Sequence, residues 1–227
     1  MDPNIIGLIG IAILLVLVVI GVHVGIALGI VGIGGMAVLM GWENAFTMGT
    51  SSMYFNNANY AFVTLPLFII MGLWGAAGGI SKRLYDGLLV WTGKIHGSLG
   101  IATVLGCAAF GAVCGSSIVT AAVFAKVSSP EMRRHGYDKR VAYGITASAG
   151  MIGMLIPPSI LAVIYGILTG LSVGKLLLGG IGPGLMLTVL MCLDIWYKAR
   201  FRPDLIKPQT MPDYTMKDKL KTIPSFW

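Results

Sequence analysis

Residues 111–125 read GAVCGSSIVTAAVFA and place a Gly-Ser-Ser sequence inside a long apolar run. That run, 97–125, is 29 residues long and is flanked by Lys and Arg on both sides. Because basic loops stay on the cytoplasmic side, both ends of the run lie on one side and a single crossing is excluded. Two very short spans or a re-entrant helical hairpin remain. The many small residues favour the hairpin, with Gly115-Ser116-Ser117 as its tip near the midplane.

The composition is that of a membrane protein. The 227 residues are 56% hydrophobic and 11% charged, with 32 glycines and a mean hydropathy of +0.84. The first apolar run follows Asp2 and similar runs recur, so we expect no cleaved signal peptide. The net charge of +7 comes from basic residues between apolar runs, which orientation in the membrane explains. We therefore expect no nucleic-acid partner.

About 20 helical residues cross a hydrocarbon core. By that measure, and besides the hairpin, the sequence predicts an all-α polytopic protein with about five crossing helices, at 5–22, 24–40, 61–80, 141–170 and 176–197. The first two join at Gly21, His23 and Gly25 by a tight turn or kink, and we expect His23 to be solvated or packed.

The basic residues predict the orientation of these spans. Three segments hold 15 of the 16 Lys and Arg residues, namely 81–96, 126–140 and 198–221, whereas 41–60 has none. The positive-inside rule makes the three basic segments cytoplasmic and puts 41–60 and the N-terminus outside.

The run 141–170 contains GMIGMLIPPSI at 150–160. Two adjacent prolines remove two backbone donors, so we expect this helix to break at about 150–159. A hairpin tip and a broken helix at similar depth are the parts from which secondary transporters build midplane sites.

Hydroxyl and carbonyl oxygens can replace the hydration shell of a small cation, and half-helix N-termini favour anions. We expect Ser116, Ser117 and the backbone of the 150–158 break to bind sodium, with hydroxyls nearby contacting an anionic substrate. The candidate site residues are Gly115, Ser116, Ser117, Gly150, Gly153, Ile156, Pro157, Pro158 and Ser159. Alternatively, the serines only satisfy backbone groups and the prolines only kink a helix.

Carboxylates are absent from the interior of the apolar runs, so no proton relay or intramembrane aspartyl protease is expected. No HExxH motif is present, and we expect no enzyme activity and no cofactor beyond the coupling ion. The three cysteines, Cys107, Cys114 and Cys192, lie in apolar runs without disulfide or zinc spacing, which indicates packing roles.

Several motifs together resemble the large membrane (M) subunit of tripartite ATP-independent periplasmic (TRAP) transporters. They are TLPLFIIMG at 64–72, GGISKRLYDGL at 78–88, GSSIVTAA at 115–122, SPEMRRHGYDKRVAYG at 129–144 and GMLIPPSILAVIYGILTGLSVGKLLLGGIGPGL at 153–185. His23 departs from this pattern, because the family usually has a proline in that turn. The family's M subunit is also about twice as long as this chain, with an inverted repeat in its second half.

This resemblance implies the N-terminal half of a sodium-driven elevator transporter in a bacterial or archaeal inner membrane. It would take carboxylate-bearing solutes from a periplasmic (P) binding subunit and work with a small membrane (Q) subunit and the missing C-terminal repeat. The implied organisation is scaffold helices (1–80), an amphipathic arm (81–96), the re-entrant hairpin (97–125), a basic loop (126–140), the broken helix (141–170), a span (171–197) and a cytoplasmic segment leading to the second half (198–227).

Two other functions remain open from the sequence. A divalent-anion/sodium symporter of related architecture would work without a binding protein, but its usual Ser-Asn-Thr hairpin signature is absent here. A noncatalytic membrane scaffold or assembly subunit could keep the repeat without transporting. The sequence does not identify the solute.

Overall fold

The computed structural model describes residues 3–58, 60–202 and 204–206, and every regular element within them is a helix. Two compact units divide the chain after Tyr60. The first contains α1 (Pro3–Val19), α2 (Val24–Met40) and α3 (Trp42–Asn57). The second contains α4 (Thr64–Ala77), α5 (Ile80–Thr92), α6 (Ser98–Cys114), α7 (Ser117–Arg134), α8 (Lys139–Gly150), α9 (Ile152–Leu155), α10 (Ile160–Thr169) and α11 (Val173–Phe201), with a 3₁₀ turn at Tyr60–Val63 preceding α4.

In the first unit, α1 packs on α2 and α2 on α3. Gly21, with φ +95°, lies in the short turn between α1 and α2 where the sequence predicts one. Most side chains of the unit are exposed, and only Ala27 and Ala45 are buried hydrophobic residues among those described. Helices that are apolar on all sides and unburied within the protein are suited to a lipid environment.

Helix α3 occupies most of the segment 41–60, between two predicted spans. Its polar side chains bond back to carbonyls of the preceding turn: Asn44 Nδ2 to Met40 O at 3.0 Å and Thr47 Oγ1 to Glu43 O at 2.9 Å. These bonds let a polar segment satisfy its side chains within a helix, and nothing in the apolar periodicity marks them.

The predicted span at 61–80 is interrupted at its end. Gly79 adopts a φ of +74°, and α4 and α5 meet there at an angle of 61°. Helix α5 follows as an amphipathic segment that buries Ser81 and Tyr85 while it exposes Lys82 and Arg83. The expected arm at 81–96 therefore corresponds to α5 and the turn that follows it.

Helix α6 is the centre of the second unit. Thirteen of its residues are buried, and it contacts α4, α5, α7, α8, α9 and α11. Cys107 and Cys114 lie in this core as free thiols, in agreement with packing roles. The first arm of the expected hairpin is thus the helix around which the unit is built.

Helix α7 is longer than the hairpin arm that the sequence predicts. It runs to Arg134, so most of the expected basic loop at 126–140 is helical. The reason is packing on one face. Ser128 and Met132 are buried, Met132 Sδ lies 4.0 Å from Thr103 Oγ1 of α6, and the hydroxyls of Ser129 and Thr146 lie 3.0 Å apart between α7 and α8. Local charge suggests a loop, but burial on one face keeps the helix intact.

Within the described residues, α11 alone is long and apolar enough to cross a membrane as one helix. Counting the bent pairs α4–α5 and α8/α9–α10 as one span each raises the number to three. Helices α1 and α2 have 17 residues each, which is about 25 Å and short of a hydrocarbon core of about 30 Å. The five predicted crossings are therefore not confirmed by helix length.

Candidate functional site

The first half of the site is the turn between α6 and α7. Gly115 ends α6 with φ +62°, a left-handed conformation in which glycine is favoured, and its N–H donates to Gly111 O at 2.8 Å. Ser116 is extended and caps α7, with its hydroxyl accepting from Val119 N at 3.5 Å. Helix α6 therefore ends and α7 begins within two residues.

The second half is the interruption between α9 and α10. Pro157 and Pro158 have no N–H, so the carbonyls of Gly153 and Met154 cannot receive the helical hydrogen bond from four residues further on. Ile156 is extended, and Ser159 is extended and caps α10 by accepting from Ala162 N at 3.3 Å. The helix before and the helix after the interruption meet at 42°.

The two halves touch. The N–H of Ile160 donates to the carbonyl of Gly115 at 3.3 Å. A Cβ added to Gly115 would collide with the carbonyl oxygen of Pro158. Gly115, Ser116, Pro158 and Ser159 thus belong to one place in the fold, where the N-termini of α7 and α10 lie one hydrogen bond apart.

Glycines allow the helices around this crossing to approach closely. A Cβ on Gly111 would collide with the backbone of Gly153, and one on Gly150 would lie 2.5 Å from the Cβ of Ala121. A Cβ on Gly153 would also lie 2.6 Å from Thr120 Oγ1. Gly150 and Gly153, predicted as site residues, act here as the contact surface between the hairpin and the broken helix.

The hydroxyls of the site differ in how they are used. Those of Ser116 and Ser159 each accept a backbone N–H at a helix start, whereas Ser117 Oγ is half-buried and lies 4.0 Å from Met154 Sδ. A hydroxyl has two acceptor lone pairs, so even the capping serines retain acceptor capacity. Of the three hydroxyls, only that of Ser117 accepts no backbone N–H at a helix start, so it keeps the most acceptor capacity for a ligand.

One side chain beside the tip, Thr120, was not predicted from the sequence. Thr120 Oγ1 donates to Ser116 O at 2.8 Å and lies 3.1 Å from Cys114 Sγ. Thr120 is fully buried and stabilises the carbonyl side of the turn. Its position, four residues after Ser116, is the signal that could have identified it, because i and i+4 lie on one helix face.

Helix α11 supports the interruption from the other side. A Cβ on Gly180 would lie 2.6 Å from the carbonyl oxygen of Leu155, and one on Gly184 would lie 2.7 Å from Ile156 Cγ1. The neighbouring Gly179 and Gly182 have nothing within 4 Å of such an atom. Alternate glycines of α11 therefore face the site, a contact that the sequence pattern alone did not reveal.

The chemistry available at this crossing is that of oxygen atoms and helix ends. Within the described residues no group of three or more His, Cys, Asp or Glu side chains could hold a metal. Backbone carbonyls and hydroxyls are ligands for hard cations such as the alkali and alkaline-earth ions. The N-termini of α7 and α10 favour a negatively charged group nearby.

Residues 11–225 match the sequence family described as "Tripartite ATP-independent periplasmic transporter, DctM component". The C4-dicarboxylate TRAP transporter large permease protein DctM of Pseudomonas aeruginosa is 33% identical over 187 residues, covering 82% of this chain and 43% of that protein. The isethionate TRAP transporter permease protein DctMQ of Oleidesulfovibrio alaskensis is 35% identical over 189 residues, covering 80% of this chain and 28% of that protein.

The 2,3-diketo-L-gulonate TRAP transporter large permease protein YiaN of Escherichia coli is 34% identical over 165 residues, covering 72% of this chain and 39% of that protein. This chain therefore spans less than half the length of these relatives. The relatives are transporter permeases and not enzymes, and this chain is likewise not an enzyme. Since the family match extends over nearly all of its residues, the chain belongs to the DctM component family of the tripartite ATP-independent periplasmic transporters.

Proposed function

We propose that this chain forms the N-terminal half of the permease of a sodium-driven TRAP transporter that imports carboxylate-bearing solutes across an inner membrane. The contact between Gly115 and the segment 158–160 is the observation that carries the proposal. It joins two interrupted helices at one point, and such points are where secondary transporters bind their ions and substrates.

Sodium is the proposed coupling ion because the crossing offers oxygen ligands and no carboxylate. The proposed ligands are the Ser117 hydroxyl together with carbonyls at the tip and at the proline interruption. Two of those carbonyls, on Gly153 and Met154, lack their helical donors because Pro157 and Pro158 follow. Proton coupling would need a titratable group at this depth, and none of the candidate site residues supplies one.

An organic anion is the proposed solute because the positive ends of α7 and α10 meet at the crossing. Ser116 and Ser159 would orient its carboxylate from the two helix starts. The names of relatives mention C4-dicarboxylate and 2,3-diketo-L-gulonate, and transport of organic acids by those proteins is consistent with this chemistry.

The proposed assembly contains a small Q subunit, a periplasmic P subunit and the C-terminal repeat of the permease. A fused DctMQ relative supports the pairing with a Q subunit. In this arrangement residues 1–80 stay fixed as scaffold while the hairpin and the broken helix move as an elevator, with the N-terminus outside. The family match disfavours a binding-protein-independent symporter. A noncatalytic scaffold that keeps the repeat would give the same match, and sodium-dependent protection separates it from a transporter.

Protection of a single cysteine tests the sodium site without knowledge of the solute. Ser117→Cys would be made in the complete permease with its Q subunit, after replacement of Cys107, Cys114 and Cys192. We expect sodium, but not choline, to slow its reaction with a membrane-permeant maleimide. Ser172→Cys is the matched control, because Ser172 is exposed before α11 and makes no capping bond, and its labelling should ignore sodium. Equal labelling of Ser117→Cys in both salts would refute the sodium site.

A further inference from the structure

A groove with an apolar floor and charged residues at its rim lies between α8 and α11, away from the candidate site. Its volume is about 370 Å³, and its floor is formed by Ile145 and Ile195. A Cβ added to Gly100 of α6 would lie 3.0 Å from Ile195 Cγ2 and 3.2 Å from Ile145 Cδ1. Helix α6 thus underlies the groove, and the small Gly100 lets both isoleucines close its base.

The rim of this α8–α11 groove is charged. Arg140 projects from the first turn of α8, is exposed, and makes no ion pair with the part of the chain that the structure describes. On the opposite wall, Lys198 Nζ lies 2.6 Å from Asp194 Oδ2. Two cations and one carboxylate line the groove, which leaves one positive charge in excess. Asp138 lies beside the rim, where its Oδ1 accepts the backbone N–H of Arg140 at 2.8 Å, but the Arg140 guanidinium makes no ion pair within the described residues.

The groove lies at the basic end of the longest helix. Helix α11 has 29 residues, which is about 43 Å and exceeds a hydrocarbon core of about 30 Å by roughly 13 Å. Lys198 and Arg200 lie in its last turn. Because Lys and Arg favour the interface, we expect that end to reach the headgroup layer, where the phosphate groups of phospholipids are found.

Apolar surface continues from the groove toward the membrane interior. Met151 follows the end of α8, three residues after Ser148, and is 57% exposed, and Leu190 lies one turn before Asp194 on α11 and is 50% exposed. Residues three or four apart share a helix face. A ligand with an anionic head at Arg140 could thus lay an apolar chain along Met151 and Leu190.

We propose that the α8–α11 groove binds an anionic phospholipid, with its phosphate held by Arg140 and Lys198 and its acyl chain along the exposed faces of α8 and α11. Basic pockets between membrane helices are suited to such headgroups. Arginine matches a phosphate with two parallel donors. This inference does not depend on the sodium or solute hypotheses.

Native mass spectrometry of the complete permease with its Q subunit tests this directly. The complex would be reconstituted with phosphatidylglycerol or with phosphatidylcholine and the retained lipids counted. We expect phosphatidylglycerol to be retained preferentially and its occupancy to fall about tenfold in Arg140→Gln. The control is Arg133→Gln, which removes the same charge from an exposed position at the end of α7 outside the groove. Retention in that variant should match the wild type.

Three outcomes would overturn the proposal. Equal losses in the Arg140 and Arg133 variants would indicate general charge attraction, and equal retention of phosphatidylcholine would remove the need for an anionic head. Displacement of phosphatidylglycerol by inorganic phosphate alone would indicate a free-anion site. Arg140→Lys guards against misfolding as the cause, because it keeps the charge and should retain most of the lipid that Arg140→Gln loses.

Discussion

Replacing Gly180 by alanine should weaken sodium binding at the candidate site, although Gly180 belongs to α11, which contributes no proposed ligand. The new Cβ would lie 2.6 Å from the carbonyl oxygen of Leu155. A carbon and a carbonyl oxygen come no closer than about 3.3 Å in favourable contacts, so the interruption and α11 must separate by roughly 0.7 Å. Because the obstructing atom is backbone, it cannot rotate away as a side chain could.

Overpacking of this kind costs about 1–3 kcal/mol. If that cost falls on the conformation that binds sodium, the sodium concentration for half-protection should rise by roughly 5-fold to 150-fold. Gly184→Ala should have a smaller effect, since its Cβ meets Ile156 Cγ1 at 2.7 Å and that side chain can shift.

Gly179→Ala and Gly182→Ala are the matched controls, because a Cβ at either position has nothing within 4 Å. Replacing glycine by alanine inside a helix is otherwise favourable by up to about 1 kcal/mol, so these two variants should be neutral or slightly stabilised. The assay is sodium-dependent protection of Ser117→Cys in each background, together with thermal unfolding. If all four alanine variants behave alike in both measurements, α11 does not position the interruption and the reasoning is wrong.

Two further predictions concern the topology of α6 and α7 and the packing of α7 on α8. If α6 and α7 form the predicted re-entrant hairpin, His96→Cys and His135→Cys, in a cysteine-free background, should both react with an impermeant maleimide from the cytoplasmic side only. Labelling from opposite faces would exclude a re-entrant hairpin. Thr146→Val should lower the free energy of unfolding by about 1 kcal/mol because Ser129 loses its buried partner at 3.0 Å. The control Thr169→Val removes only an exposed bond to its own helix and should change the midpoint of thermal unfolding less.

The positions of the two interruptions could be predicted from the sequence because each depends on a few adjacent residues. A glycine with φ +62° followed by a capping serine ends one helix and starts the next at 115–116. Two prolines without N–H groups do the same at 157–158. The membrane environment followed as well, since apolar composition and the spacing of Lys and Arg are properties of the chain itself.

An element whose local chemistry is ambiguous was predicted less well. Residues 126–134 were predicted as part of a basic loop, but they stay helical because one face of the segment is buried. Their composition is compatible with a loop. Contacts between helices in the folded chain decide whether such a segment is helical, and the hydropathy pattern of the sequence does not reveal those contacts.

The sequence by itself determined the family, the membrane class and the places where helices α6 and α9 end. Only the tertiary structure decided that Gly115 meets Ile160, that Gly180 and Gly184 face the interruption, and that Arg140 and Lys198 line one groove. The physical reason is the separation along the sequence over which each kind of interaction acts. Backbone conformation responds to neighbours within about one helical turn, whereas these contacts join residues far apart in the chain and exist only when the helices pack around α6.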